Sequence, residues 1–139
     1  SLTTSIKPDI IYSVEQHVDF DTKDYSPVDK ILIFDGITAR TVEITDKNDL
    51  ATIINSVKTI EGDDPISNRG FYGTTYHVVL YCGEVEYLSF GLFPDYDGTF
   101  LTYGLYETFA GHNYPCRYTL TNCSYEDIAS VLSSFFPDN

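Results

Sequence analysis

The stretch YHVVLYCGEVEYLSFGLF, residues 76–93, decides the fold class of this chain. Two runs rich in β-branched and aromatic residues, 76–82 and 85–93, flank Gly83, and a glycine supplies the positive φ that a tight hairpin turn requires. A third aromatic run covers residues 99–106. The three runs therefore predict an antiparallel meander.

Shorter β patterns precede this meander. Apolar and polar residues alternate through 10–20, which is typical of a half-buried strand. Residues 30–34 and 39–45 predict a hairpin, because Asp35-Gly36 between them is a strong signal for a two-residue turn.

Two segments have the 3.6-residue periodicity of amphipathic helices, 46–58 and 125–135. Thr45 or Asp46 can cap the first helix, and Ser124 can cap the second. Each helix therefore presents one apolar stripe toward a sheet.

The segments next to these helices have weaker patterns. Residues 61–68 follow the first helix and combine acidic residues with Pro65, so we expect a mobile acidic loop there. Residues 117–121 precede the second helix and predict a short final strand.

The fold that uses all of these elements is α+β. We expect a mostly antiparallel sheet of about six to seven strands, with the two amphipathic helices packed on one face and the other face partly open. A chain of 139 residues fits one domain. We divide it into a polar N-terminal tether, residues 1–9, and a single α+β domain, residues 10–139.

Alternation assigns the side chains of the meander to the two faces of the sheet. The residues expected to point at the helices are Val78, Leu80, Leu88, Phe90 and Leu92. The residues expected on the open face are Thr75, His77, Val79, Tyr81, Tyr87 and Ser89, with Tyr103 or Tyr106 beside them. This assignment depends on the register of the hairpin at Gly83.

The charge of the chain excludes some classes of partner. Eight Lys and Arg residues stand against 21 Asp and Glu residues, a formal net charge of −13. Such a chain repels phosphate backbones and anionic lipid surfaces, so we expect no nucleic acid partner. No apolar run approaches the ~18 to 20 residues of a membrane span, so we expect no direct membrane insertion. A basic protein, a cation or a neutral ligand remains compatible with this charge.

The cysteines and histidines are candidates for catalysis or metal binding. Only Cys123, beside the Ser124 cap, lies where a helix N-terminus would favour a thiolate. A zinc site built from His112, Cys116 and Cys123 lacks a fourth ligand. If 117–121 is extended, Cys116 and Cys123 lie about 23 Å apart, so we expect at most one disulfide, and one that includes Cys82.

The acidic candidates also lack a complete pattern. Asp95, Asp97 and Gly98 match the start of a calcium loop, but the acidic ligand that should follow is absent. Glu84 and Glu86 lie beside a turn, where water would leave two carboxylates ineffective as an acid and base pair. We therefore expect no catalytic residue, no metal and no cofactor.

Twelve Tyr residues and no Trp are the most unusual feature of the composition. Tyrosine combines a rigid apolar ring with a polar tip and is favoured on contact surfaces, although it is also a good strand former. We expect a binding site for a protein or a neutral ligand on the open sheet face, formed by His77, Tyr81, Tyr87 and Tyr103.

These observations favour a non-enzymatic binding or interaction domain. The polar opening, with Lys7-Pro8, resembles the tether after a removed signal peptide or anchor, so we expect an exported or cell-surface-tethered protein. An intracellular acidic inhibitor or immunity-type protein that masks a basic partner is the main alternative, with a cytoplasmic location. A small hydrolase is a third.

Overall fold

The computed structural model of this chain describes residues 7–73, 75–95 and 98–137. It has an α+β fold with a mostly antiparallel sheet and two helices, as the sequence predicts. Within the described residues, the sheet has nine strands, slightly more than expected. The expected tether lies largely outside the described residues, and so does the centre of the turn at 95–98.

The strands follow the chain in this order: β1 (Ile10–Ile11), β2 (His17–Asp19), β3 (Lys30–Asp35), β4 (Arg40–Ile44), β5 (Glu61–Ser67), β6 (Tyr76–Cys82), β7 (Val85–Asp95), β8 (Gly98–Phe109) and β9 (His112–Leu120). Their order across the sheet is β2-β5-β9-β8-β7-β6-β3-β4, and β1 pairs with β8 off this path. All pairs are antiparallel. The predicted meander thus forms the centre of the sheet.

The helices are α1 (Lys47–Val57) and α2 (Tyr125–Ser133), close to the expected positions. The side chain of Asp46 caps α1 by accepting from two backbone N–H groups. Ser124 and Asp127 form a reciprocal capping box at the start of α2. Within the described residues, neither helix is long and apolar enough to cross a membrane.

The core lies between the helices and the inner face of the sheet. All five residues of the meander that were expected to point at the helices are between 0% and 4% exposed. The helices contribute to the same core Leu50, Ile53, Val57, Ile128, Ala129 and Leu132. The assignment of the inner face is therefore confirmed.

The expectation of a loop at residues 61–68 is wrong, because Glu61–Ser67 forms β5 between β2 and β9. The pairing of β5 with β9 shifts between Asp63 and Ile66. Pro65, which has no N–H to donate, falls inside this irregularity, and Asp64 there has φ 57°. The polar composition of residues 61–67 is not typical of a strand, and β5 forms through pairing with β9, which is distant in sequence.

Two further boundaries differ from the sequence analysis. The single strand expected at 10–20 is two short strands, because β1 pairs with β8 and β2 pairs with β5. The turn after Asp35 is longer than two residues: the N–H of Ala39 donates to the Asp35 carbonyl, and Ala39 has φ 59°. The Asp35 side chain stabilises this turn by accepting from Ile37 and Thr38.

Candidate functional site

The outer face of the sheet is partly covered by the segment that joins β5 to β6. These strands lie on opposite sides of β9, β8 and β7, so the segment must pass three strands. Within it, the Phe71 ring lies against Arg117 of β9, with 3.7 Å between the guanidinium carbon and the ring centroid. Arg117 also lies over the rings of Phe93 and Phe100, at 4.5 and 4.0 Å, and is 4% exposed.

Arg69 attaches the same segment to the far end of β8. Its Nε lies 2.8 Å from Oε1 of Glu107, whose side chain is 5% exposed. The guanidinium also lies 4.0 Å from the centroid of the Phe109 ring. The outer face is therefore filled over β8 and β9, and the expectation of an open face holds only toward β3 and β6.

Two expected site residues, His77 and Tyr81, belong to this more open part. His77 lies between Phe34 and Gly91 in the sheet register, and burial lowers the pKa of its imidazole. The Tyr81 ring lies under the Lys30 ammonium, at 4.6 Å from nitrogen to ring centroid. A neutral imidazole and a tyrosine ring are thus presented on the outer face near neutral pH.

Tyr87 does not share that face. The pairing of β6 with β7 shifts between Leu80 and Tyr81, which leaves Tyr87 as an extra residue in β7. Its ring meets the ring of the buried Tyr25 edge-on, with centroids 6.2 Å apart, and its hydroxyl donates to the Asp24 carbonyl. The bulge therefore turns Tyr87 toward the segment between β2 and β3.

Tyr103 also faces the helix side. It lies opposite the buried Cys116 in β9, and its ring meets that of Phe20 edge-on at 5.0 Å. The Lys23 ammonium lies 5.7 Å from the centroid of the Tyr103 ring. Tyr106, the alternative to Tyr103, likewise packs against the core. The four expected site residues therefore form two separate pairs rather than one surface.

Tyr87 and Tyr103 meet instead at a cleft in the sheet. Within the described residues, β7 and β8 pair from Gly91 and Thr102 to the turn between them, and the rest of the two strands diverges. The gap is a cavity of about 370 Å³. It is lined by Glu86, Tyr87, Leu88, Ser89, Tyr103, Gly104 and Leu105.

A bulge in β8 shapes one wall of this cleft. The pairing of β8 with β9 shifts between Tyr103 and Leu105, and Gly104 between them has φ +71°. No heavy atom lies within 4 Å of the position of a Cβ on Gly104, and Leu105 is 45% exposed. A second cavity of about 190 Å³ is also lined by Tyr103, Gly104 and Leu105, and it extends to Glu15. The cleft is therefore accessible from solvent.

The three cysteines are free thiols. Cys82 is exposed at the end of β6, whereas Cys116 is buried and Cys123 is half-buried. Burial raises the pKa of the Cys116 and Cys123 thiols. A raised pKa works against thiolate formation, so neither environment favours a nucleophile.

The structure brings together a cluster of ionisable groups around His17, a residue that the sequence pattern did not connect with Glu61 and Asp63. Its Nδ1 donates to Oδ1 of Asp63 at 2.6 Å, and its Nε2 lies 3.4 Å from Oε1 of Glu61. The hydrogen bond with Asp63 raises the pKa of His17, and the charges of Asp63, Glu61 and Asp19 act in the same direction. The sequence signal was weak, because Glu61 and Asp63 were assigned to a loop.

No protein-family model matches this chain, and searches of curated proteins and of solved structures also found no match.

Proposed function

We propose that this chain is a non-enzymatic binding domain and that an extended peptide segment of a partner protein binds in the cleft between β7 and β8. The observation that supports this proposal most directly is the divergence of two neighbouring strands around a cavity of about 370 Å³. The cleft also brings together Tyr87 and Tyr103, two of the residues expected to form a binding site.

The backbone at the cleft suits an extended ligand. Residues 85–90 of β7 pair with β6, and within the described residues their ladder with β8 begins only at Gly91. On the side of β8, β1 pairs with Glu107 and Thr108 and the N–H of Tyr12 donates to the Tyr106 carbonyl, so the stretch of β8 that is open to a ligand is residues 103–105. Strand edges outside a ladder present N–H and C=O groups, which an added strand can satisfy by β-augmentation. The positions of the strands therefore favour main-chain recognition of a peptide.

The side chains of the cleft suit a partner that alternates between bound and free states. Tyr87 and Tyr103 offer rigid rings that lose little conformational entropy on contact. Leu88 is 4% exposed and Leu105 is 45% exposed, so an apolar side chain of the ligand can pack on Leu105. The cleft combines apolar contacts with polar edges, as peptide-binding sites commonly do.

The charge of the chain favours a basic ligand. Glu86 lines the cleft and Glu15 lines the adjoining cavity, on a chain of formal net charge −13. Electrostatic attraction of this kind mainly accelerates association and selects partners by sign. The same charge supports a second candidate function, an acidic inhibitor that covers the basic surface of a partner without using the cleft.

The experiment begins with a phage-displayed library of linear twelve-residue peptides, panned against the full chain. We expect enrichment of Lys- or Arg-containing sequences with β-branched residues. A synthetic peptide from the enriched set should perturb the backbone amide NMR signals of residues 86–89 and 103–105. Perturbation confined to other strands would contradict the proposal.

A matched pair of variants separates the cleft from general attraction. Glu86 lines the cleft, whereas Glu84 in the adjacent turn is also exposed and does not line it. We expect Glu86→Lys to weaken binding of the enriched peptide by about tenfold or more, and Glu84→Lys to weaken it much less. Equal losses in the two variants would contradict cleft binding and favour the acidic inhibitor.

A further inference from the structure

Four ionisable side chains share one small area of the outer face, where β2 pairs with β5. His17 lies opposite Asp63, and Asp19 lies opposite Glu61. Between them on β2, Val18 points into the core and is 2% exposed. Alternation along both strands therefore places the four ionisable side chains on the same, outward side.

Gly62 holds this arrangement in register. A Cβ at this position would lie 2.8 Å from the Cβ of Tyr118 and 3.3 Å from Val18. Only a glycine lets β5 approach the core this closely, and its inward orientation directs Glu61 and Asp63 outward. The cluster is thus positioned by two paired strands.

Three of these side chains have the spacing of a metal site. One ligand atom each from His17, Asp19 and Glu61 can be chosen so that all lie within 4.8 Å of one another. Nε2 of His17 and Oε1 of Glu61 are 3.4 Å apart. Bonds of about 2.1 Å in a tetrahedral site place neighbouring ligands about 3.4 Å apart, so this pair already has that separation. The Asp19 carboxylate has an oxygen within 4.8 Å of a ligand atom of each of the other two side chains.

Asp63, the fourth side chain, lies where a carboxylate can hold the metal-binding histidine in place without binding the metal itself. Asp63 accepts from Nδ1 of His17 at 2.6 Å, which leaves Nε2 on the side of Glu61. Histidines that bind metals commonly donate their other ring N–H to a carboxylate, which fixes the tautomer and the ring orientation. Asp19 is also oriented, since its Oδ1 accepts from the N–H of Asp21 at 3.0 Å.

We propose that this cluster binds a divalent transition metal ion of the Zn²⁺ type through Nε2 of His17 and the carboxylates of Asp19 and Glu61, with Asp63 orienting the imidazole. An imidazole ligand favours Zn²⁺ and its neighbours over Ca²⁺ and Mg²⁺, which prefer oxygen ligands alone. The side chain of His17 is 50% exposed and that of Glu61 is 28% exposed, so an ion can reach them from solvent. Water completes the coordination. The site is separate from the cleft between β7 and β8.

The experiment is isothermal titration of ZnCl₂ into the untagged, chelator-treated full chain at pH 7.5. The chain carries Cys82→Ser, because the exposed Cys82 thiol could bind zinc by itself. We expect the chain to bind one zinc ion. In His17→Gln, the zinc affinity should fall by at least a hundredfold. Asp63→Asn should weaken it by about ten- to a hundredfold, as loss of an outer partner does.

His112→Gln is the matched control, since His112 is an exposed histidine outside the cluster. It should leave zinc affinity unchanged, and circular dichroism should show that all variants keep the fold without metal. Long-range ¹H–¹⁵N NMR of the histidine rings should show Zn²⁺ on Nε2 of His17 and the proton on Nδ1.

Three results would overturn the proposal. The first is that His17→Gln leaves the zinc affinity unchanged. The second is that His17→Gln and His112→Gln lower the zinc affinity equally. The third is that the chain binds Ca²⁺ as tightly as Zn²⁺. Each would show that the ion follows the acidity of the surface rather than these ligands.

Discussion

At the scale of single residues, the surroundings of a side chain decide its pKa, and residues of the same type can shift in opposite directions. His77 and His17 are both on the outer face, yet the pKa of one is lowered and that of the other is raised. His77 lies among sheet neighbours that remove water, whereas His17 is surrounded by carboxylates. The difference comes from neighbours that are distant in sequence.

His77 makes stability depend on pH in a defined direction. Its pKa in the folded chain is below the ordinary 6.5, so the unfolded chain binds the proton more readily. The contribution to stability is complete above pH 6.5 and is lost as the pH falls through the folded pKa. When the pH is lowered from 7.5 to 5.0, we expect the free energy of unfolding to decrease less in His77→Gln than in the wild type. Urea denaturation at each pH measures this decrease. An equal loss in both proteins would contradict this.

At the scale of elements, one bulge in β7 decides the orientation of its tyrosine. Strict alternation along β7, counted from the buried Leu88, would place Tyr87 on the same outer face as Tyr81. The one-residue shift beside Leu80 moves Tyr87 to the ring of Tyr25, while the inward positions, including Leu88, stay buried. The extra residue lets Glu86 pair with Tyr81 while Leu88 stays opposite Leu80, so the alternation of β7 is reset at Tyr87.

This displacement predicts unequal costs for two tyrosine truncations. Tyr87→Ala removes the contact with Tyr25 and the hydrogen bond to the Asp24 carbonyl, so we expect a loss of about 1 to 3 kcal/mol in the free energy of unfolding. Tyr81→Ala removes mainly the contact with Lys30 and should cost less than about 1 kcal/mol. Chemical denaturation measures both changes. A larger loss for Tyr81→Ala would contradict the packing of Tyr87 on Tyr25.

At the scale of the whole molecule, the connection from β5 to β6 joins the two halves of the sheet. It passes β9, β8 and β7 and is held there by Phe71 on Arg117 and by Arg69 on Glu107. Two arginines with their aromatic neighbours thus replace the open tyrosine face expected over this part of the sheet. The proposed binding site lies instead in the cleft, where β7 and β8 separate.

The same connection supplies a prediction on stability. Phe71→Ala removes the ring that lies 3.7 Å from the Arg117 guanidinium, and we expect a loss of about 1 to 2 kcal/mol in the free energy of unfolding. The neighbouring Tyr72 is 95% exposed, so Tyr72→Ala should change stability by less than about 0.5 kcal/mol. Thermal and urea unfolding of both variants provide the comparison. Equal effects would mean that Phe71 does not hold the crossing segment in place.

The sequence by itself determined the fold class, the hairpin around Gly83, both helices and the inward residues of the meander. Each of these depends on a hydrophobic period of 2 or 3.6 residues or on a local helix cap. Both are visible in residues that are close together in the sequence. The tertiary structure alone decided that residues 61–67 form β5, that Tyr87 leaves the outer face and that His17 meets Glu61 and Asp63. Those outcomes depend on contacts between residues distant in sequence: β2 with β5, β5 with β9, and Tyr87 with Asp24 and Tyr25. Local periodicity carries no information about such contacts.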